Sequence, residues 1–86
     1  MSVTKVIKNI LGDKNITQVE LAEKVNVTKQ NLSNKMNRDN FSTIELVEIA
    51  DALNMSLLLK DKTDGKEYLI DYMANEKGKP KRNNKN

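Results

Sequence analysis

The feature that most constrains the fold of this chain is a helix-start signal at residues 17–20. Thr17 and Glu20 have the spacing of a capping box. In that motif the threonine hydroxyl accepts a hydrogen bond from the glutamate N–H, and the carboxylate accepts one from the threonine N–H. Such a reciprocal pair fixes where a helix begins, so we predict a helix over about 17–25.

A second helix start follows after a very short chain reversal. Thr28 is a suitable N-cap residue, and Asn26 lies where the chain must turn. Asparagine tolerates the left-handed backbone conformation better than most residues, which suits it to that position. These residues predict a second helix over about 28–36, held at a defined angle to the first.

Apolar periodicity predicts a helix ahead of this pair. Apolar residues recur at helical spacing near the N-terminus, and Gly12 offers a left-handed helix end. We therefore predict a helix over 3–12. Its expected buried stripe is Val3, Val6, Ile7, Ile10 and Leu11.

A second capping box predicts the fourth helix. Ser42 and Glu45 repeat the spacing of Thr17 and Glu20, ahead of an apolar run that predicts a helix over 43–53. Its expected buried residues are Leu46, Val47, Ile49, Ala50 and Leu53. Phe41 is interpreted as an anchor beneath the preceding loop. Four helices would then surround one core.

The segment after these helices predicts a β-hairpin over about 57–70. Asp64-Gly65 is a turn signal between two apolar runs. A helix over 67–75 is the alternative for its second half. Because two strands alone are marginal in water, the hairpin must pack on the helices, pair with a second copy of the chain, or do both. Tyr68 to Met73 add more apolar surface than so small a body easily covers.

Composition limits the chemistry open to the chain. With 86 residues we predict one domain over 1–73, followed by a basic tail over 74–86 that is disordered when it is free. The chain has no Cys and no His, which excludes disulfides and the usual zinc and Ser-His-Asp sites. We expect no enzyme activity, no metal, no cofactor and no small-molecule ligand. Without a leader or an apolar span, we expect a cytoplasmic protein with no membrane partner.

Charge is concentrated around the second predicted helix. Four bases and no acid lie between Lys24 and Arg38, whereas the stretch from Asp39 to Leu59 holds four acids and no base. A polyanion would bind at the basic segment. RNA is disfavoured because the basic segment contains no aromatic residue.

The helix pair resembles a known family. The chain is similar, over roughly residues 3–60, to the helix-turn-helix of Cro/C1-type (Xre-like) DNA-binding proteins. The similar positions are the run T-Q-x-E-L-A, a turn residue, V-T and then L-S. The resemblance implies a mainly α, lambda-repressor-like fold of four to five helices. Asn26 stands where that family usually has glycine, and Lys35 stands where it often has an apolar residue.

The resemblance also implies roles for individual residues. Exposed positions of the second helix would read bases in the major groove of double-stranded DNA: Lys29, Gln30, Asn31 and Asn34, with Thr28 and Ser33 at the groove edge. In that family the residue after the helix cap, here Gln18, contacts a phosphate; we also expect Lys35, Asn37, Arg38 and Asn40 to hold phosphates beside it. We therefore expect a sequence-specific transcriptional regulator, by default a repressor, working as a homodimer.

A protein-interaction module is the alternative. In that hypothesis the same helical body is an adaptor or antitoxin-like protein, and the apolar C-terminal hairpin captures a partner. Such a protein would bind DNA weakly and without sequence preference.

Overall fold

The computed structural model describes residues 2–71, and over that range the chain is mainly helical with a C-terminal two-stranded hairpin. The predicted fold class is confirmed to that extent. The predicted basic tail, together with Tyr72 and Met73, lies outside the described residues. The elements are α1 (Val3–Lys14), α2 (Gln18–Lys24), α3 (Lys29–Arg38), α4 (Thr43–Ala52), β1 (Leu57–Lys60) and β2 (Glu67–Ile70).

Both predicted capping boxes are formed. At the start of α2, the Thr17 N–H donates to Glu20 Oε1 at 2.8 Å, and the Glu20 N–H donates to the Thr17 hydroxyl at 3.1 Å. The start of α4 repeats this arrangement with Ser42 and Glu45 at the same two distances. Each box satisfies two backbone donors that a helix start otherwise leaves without partners.

Left-handed residues close the helix ends, and the prediction for Gly12 was wrong. Asn26 has the expected positive φ of 62°. However, α1 continues past Gly12 to Lys14, and Asn15 takes the left-handed conformation with φ 59°. Ile16 determines where α1 ends. Its N–H donates to Leu11 O at 3.0 Å, and its side chain packs on the core.

One apolar core joins the four helices. Leu21 is fully buried, and Phe41 is half-buried against the core as expected. The buried cluster comprises Ile7, Leu11, Leu21, Ala22, Leu32, Met36, Ile49 and Leu53.

Two residues of the expected stripe on α1 are exposed, and Ile10 is half-buried. Val3 is 38% exposed and Val6 is 44% exposed. Val6 lies about 100° around the helix axis from Ile7, which takes it off the covered face. Val3 lies in the first turn of α1, where the contact with the end of α3 is made by the polar side chain and N–H of its neighbour Thr4. The part of α1 that packs on the core is therefore shorter than the run of apolar positions in its sequence.

The hairpin prediction is confirmed, and the helical alternative is wrong for residues 67–70. The strands pair antiparallel, from Leu57 opposite Ile70 to Lys60 opposite Glu67. The connection is longer than a two-residue turn: the Asp61 N–H donates to Lys66 O at 2.8 Å, and Gly65 supplies a positive φ of 79°. The hairpin packs beside α4, where residues of both line a cleft of about 110 Å³.

Candidate nucleic-acid interface

The orientation of α3 is fixed at both of its ends. At its start, the Thr28 hydroxyl accepts from the Asn31 N–H at 3.0 Å, and the Val27 N–H bonds Ala22 O at 3.0 Å across the turn from α2. At its end, Thr4 of α1 donates its hydroxyl to Met36 O at 2.7 Å and its N–H to Asp39 Oδ1 at 2.8 Å. The outward side of α3 is thus carried on a rigid support.

The side of α3 opposite the core is polar and contains no acid. Leu32 and Met36 mark the buried side. At about 100° per residue, the side chains farthest from them belong to Gln30, Asn34 and Arg38, flanked by Asn31 and Asn37. All five are exposed, and we call this set the outer face of α3.

Two amides of the outer face already contact each other. Gln30 Nε2 donates to Asn34 Oδ1 at 3.4 Å, a long hydrogen bond between residues one helical turn apart. Each amide still has donor and acceptor capacity for an external partner. The arrangement can present paired hydrogen-bonding groups to a ligand outside the protein.

The remaining predicted base-reading residues lie to the side of the outer face. Lys29 and Thr28 are exposed at the start of α3, and the Thr28 oxygen is engaged as the helix cap. Ser33 is half-buried. None of these three residues therefore belongs to the outer face.

The predicted phosphate-binding residues are distributed over three elements. Gln18 is half-buried at the first position of α2, while Asn37 and Arg38 are exposed near the end of α3. Asn40 is exposed in the loop that leads to α4. Lys35 is in a different situation, because its charge is paired.

An ion pair joins α3 to α4. Lys35 Nζ lies 2.8 Å from Glu45 Oε2, with the two side chains 42% and 36% exposed. The Lys35 hydrogen bond, followed by that from the Ser42 backbone N–H, lowers the pKa of the Glu45 carboxyl. Glu45 is therefore ionised at neutral pH and forms an ion pair with Lys35.

An open groove of about 360 Å³ runs beside this ion pair, and sequence reasoning missed it. Its apolar lining includes Val27, Leu32 and Phe41, and its rim includes Lys35 and Arg38. No local motif predicts such a groove, because it forms only where α3 and α4 meet.

Neither a metal site nor a membrane span is found in the part of the chain that the structure describes. No three of its His, Cys, Asp or Glu side chains are grouped so that they could hold an ion. No helix within residues 2–71 has the length and apolar character needed to cross a membrane.

One family model matches this chain, over residues 1–58, and is described as a domain of unknown function, DUF6471. The chain belongs to the DUF6471 family. The DUF6471 match includes α1 to α4 and the first two residues of β1, whereas β2 lies beyond it. Comparison with curated proteins gave no match, and neither did comparison with solved structures.

Proposed function

We propose that this chain is a sequence-specific double-stranded-DNA-binding regulator that inserts α3 into the major groove. The observation that carries the proposal is the outer face of α3: five exposed polar side chains, without a carboxylate, on a helix fixed at both ends. We interpret α2 and α3 as a helix-turn-helix of the Cro/C1 type. Their capped starts and shared core support that interpretation.

The chemistry of the outer face suits the edges of base pairs. A glutamine or asparagine amide can make two hydrogen bonds to adenine N6 and N7, and each good pair gives about 1–3 kcal/mol of discrimination. Gln30, Asn31 and Asn34 supply three such amides in adjacent positions. We therefore expect preferred sites to contain A·T pairs.

Electrostatics supports binding of the phosphate backbone on the same side. Between Lys24 and Arg38 the chain has no acidic residue. Phosphate contacts by Gln18, Asn37, Arg38 and Asn40 would position α3 without reading sequence. Binding at a promoter would then obstruct transcription, so repression is the default role.

A second copy of the chain is the proposed partner of the hairpin. Leu59 and Leu69 are 66% and 62% exposed, and within residues 2–71 each strand has one unpaired edge. A single α3 covers only a few base pairs. Two copies on half-sites about 34 Å apart, one helical turn of DNA, would provide useful selectivity.

The experiment that tests the proposal is selection from a random duplex-DNA library at about 150 mM salt. The enriched site is then titrated with the wild type and with a Gln30→Ala/Asn31→Ala double variant. We expect an enriched inverted repeat and a loss of preference for it in the variant, while the melting temperature is unchanged because both side chains are exposed. Enrichment of no sequence, with only salt-sensitive background binding, would overturn the proposal.

A protein-interaction module is the second candidate, and the exposed apolar side chains of the hairpin favour it. In that case β1 and β2 would hold a different protein rather than a second copy. This candidate would be supported if the Gln30→Ala/Asn31→Ala variant still binds the partner protein and a variant with Leu59 and Leu69 replaced does not.

A further inference from the structure

We infer that Glu45 reduces the positive charge offered to DNA by neutralising Lys35, which limits sequence-independent binding and leaves Arg38 as the cation for phosphate on this side of α3. This inference rests on the proposed function. It reverses the role predicted for Lys35 from the sequence, which was a direct phosphate contact.

The geometry of the Glu45 carboxylate supports the inference. Its Oε1 accepts from the Ser42 N–H at 2.8 Å, and its Oε2 lies 2.8 Å from Lys35 Nζ. Most exposed ion pairs are weak because two flexible side chains must be held together. Here the capping box already holds the acid, so only the lysine has to be ordered.

The position of the pair determines which binding it affects. Lys35 and Arg38 lie about one helical turn apart on the rim of the α3–α4 groove, and Arg38 also belongs to the outer face of α3. A phosphate that approaches Lys35 must also approach the Glu45 carboxylate. Since phosphate contacts carry no sequence information, cancelling one weakens binding to every sequence without removing a base contact.

The decisive variant is Glu45→Gln, because glutamine also forms capping boxes. This change removes the negative charge and keeps the Ser42 contact. We expect tighter binding to cognate and scrambled duplexes alike. We also expect a plot of log K against log salt concentration to be steeper by about 0.9, the value for one added phosphate contact.

The matched control is Glu20→Gln. Glu20 has the same position in the capping box of α2, and its carboxylate contacts Thr17 rather than a lysine. The control makes the same change in net charge and in side-chain chemistry. We expect its salt slope to equal that of the wild type.

A charge-neutral double variant distinguishes the two roles of Lys35. If Glu45 already neutralises Lys35, Lys35→Gln/Glu45→Gln will keep the salt slope of the wild type. If Lys35 contacts phosphate in the wild-type complex, the double variant will lose about 0.9 from the slope. The second result would overturn the inference, as would equal slopes for Glu45→Gln and the wild type.

The wild-type titration separates failure of this inference from failure of the proposed function. Selective DNA binding by the wild type, with no change of slope in Glu45→Gln, overturns the inference alone. Absence of selective binding by the wild type overturns the proposed function and the inference with it. Thermal melts of all four proteins show whether any change of slope comes from unfolding.

Discussion

At the scale of single residues, the protein depends on a few buried side chains. Leu21 has no exposed surface and belongs to the cluster that contains residues of all four helices and the C-cap of α4. Removing most of a buried leucine side chain costs its transfer free energy and leaves a cavity. A domain of this size has little stability to lose.

We predict that Leu21→Ala lowers the free energy of unfolding by about 2–5 kcal/mol. Urea denaturation followed by circular dichroism measures this. Val19→Ala on the same helix is the control, because Val19 is 45% exposed. A similar loss in both variants would contradict the packing described for α2.

Glu45 makes stability depend on pH in a defined direction. Because the Lys35 hydrogen bond lowers the pKa of Glu45 in the folded protein, its contribution is complete above the pKa of the unfolded chain. It is lost as the pH falls through the lower folded value. For so exposed a pair the contribution is about 0.2–1 kcal/mol.

We therefore predict that the wild type loses more stability than Glu45→Gln between neutral pH and about pH 3. Chemical denaturation at a series of pH values measures the difference. Identical pH profiles for the two proteins would show that the ion pair contributes nothing to folding.

At the scale of elements, capping residues encode the starts of α2, α3 and α4, whereas apolar periodicity predicts α1. The turn between α2 and α3 adds a backbone requirement, since Asn26 has φ 62°. A left-handed conformation costs most L-residues roughly 1–2 kcal/mol, and glycine pays almost nothing.

We predict that Asn26→Gly keeps the stability of the wild type and that Asn26→Ala lowers it by about 1 kcal/mol. DNA affinity, measured under conditions in which both variants are equally folded, then tests whether this turn sets the orientation of α3. Equal stability of the alanine and glycine variants would contradict the turn geometry described here.

The elements that the sequence predicts correctly have local causes. Thr17 with Glu20, and Ser42 with Glu45, specify helix starts within four residues, and Asp64-Gly65 indicates a connection between strands. The end of α1 was predicted wrongly, because the contact of Ile16 with the core outweighs the preference of Gly12 for a helix end. The roles predicted for DNA-contacting residues stay predictions.

The features of the candidate site that the sequence did not predict depend on packing. Lys35 and Glu45 are ten positions apart on different helices, and no periodicity pairs them. Thr4 contacts the end of α3 across more than thirty positions. Both contacts arise only after the helices have packed.

At the scale of the whole molecule, two surfaces of different character lie on different elements. The outer face of α3 is polar, while the hairpin exposes Leu59, Tyr68 and Leu69. An exposed strand edge with apolar side chains favours pairing with another strand. We propose that DNA binds the outer face of α3 and that a second copy of the chain binds the hairpin.

We predict that Leu59→Thr/Leu69→Thr makes the protein monomeric and weakens binding to an inverted repeat more than binding to one half-site. Sedimentation equilibrium and titration with both duplexes measure these effects. Threonine keeps the strand preference of both positions. The control is Ile44→Thr, which changes an exposed apolar residue on α4. If the wild type sediments as a monomer, the prediction is wrong.

The exposed leucines of the hairpin have a practical consequence for work in solution. Rising ionic strength weakens contacts to phosphate, but it does not weaken apolar association. Two chains joined through their hairpins would therefore stay together in the concentrated salt that removes DNA. Because each strand edge can accept a neighbour, pairing at both edges would extend into open-ended oligomers, so purification in high salt favours clustering of the DNA-free protein.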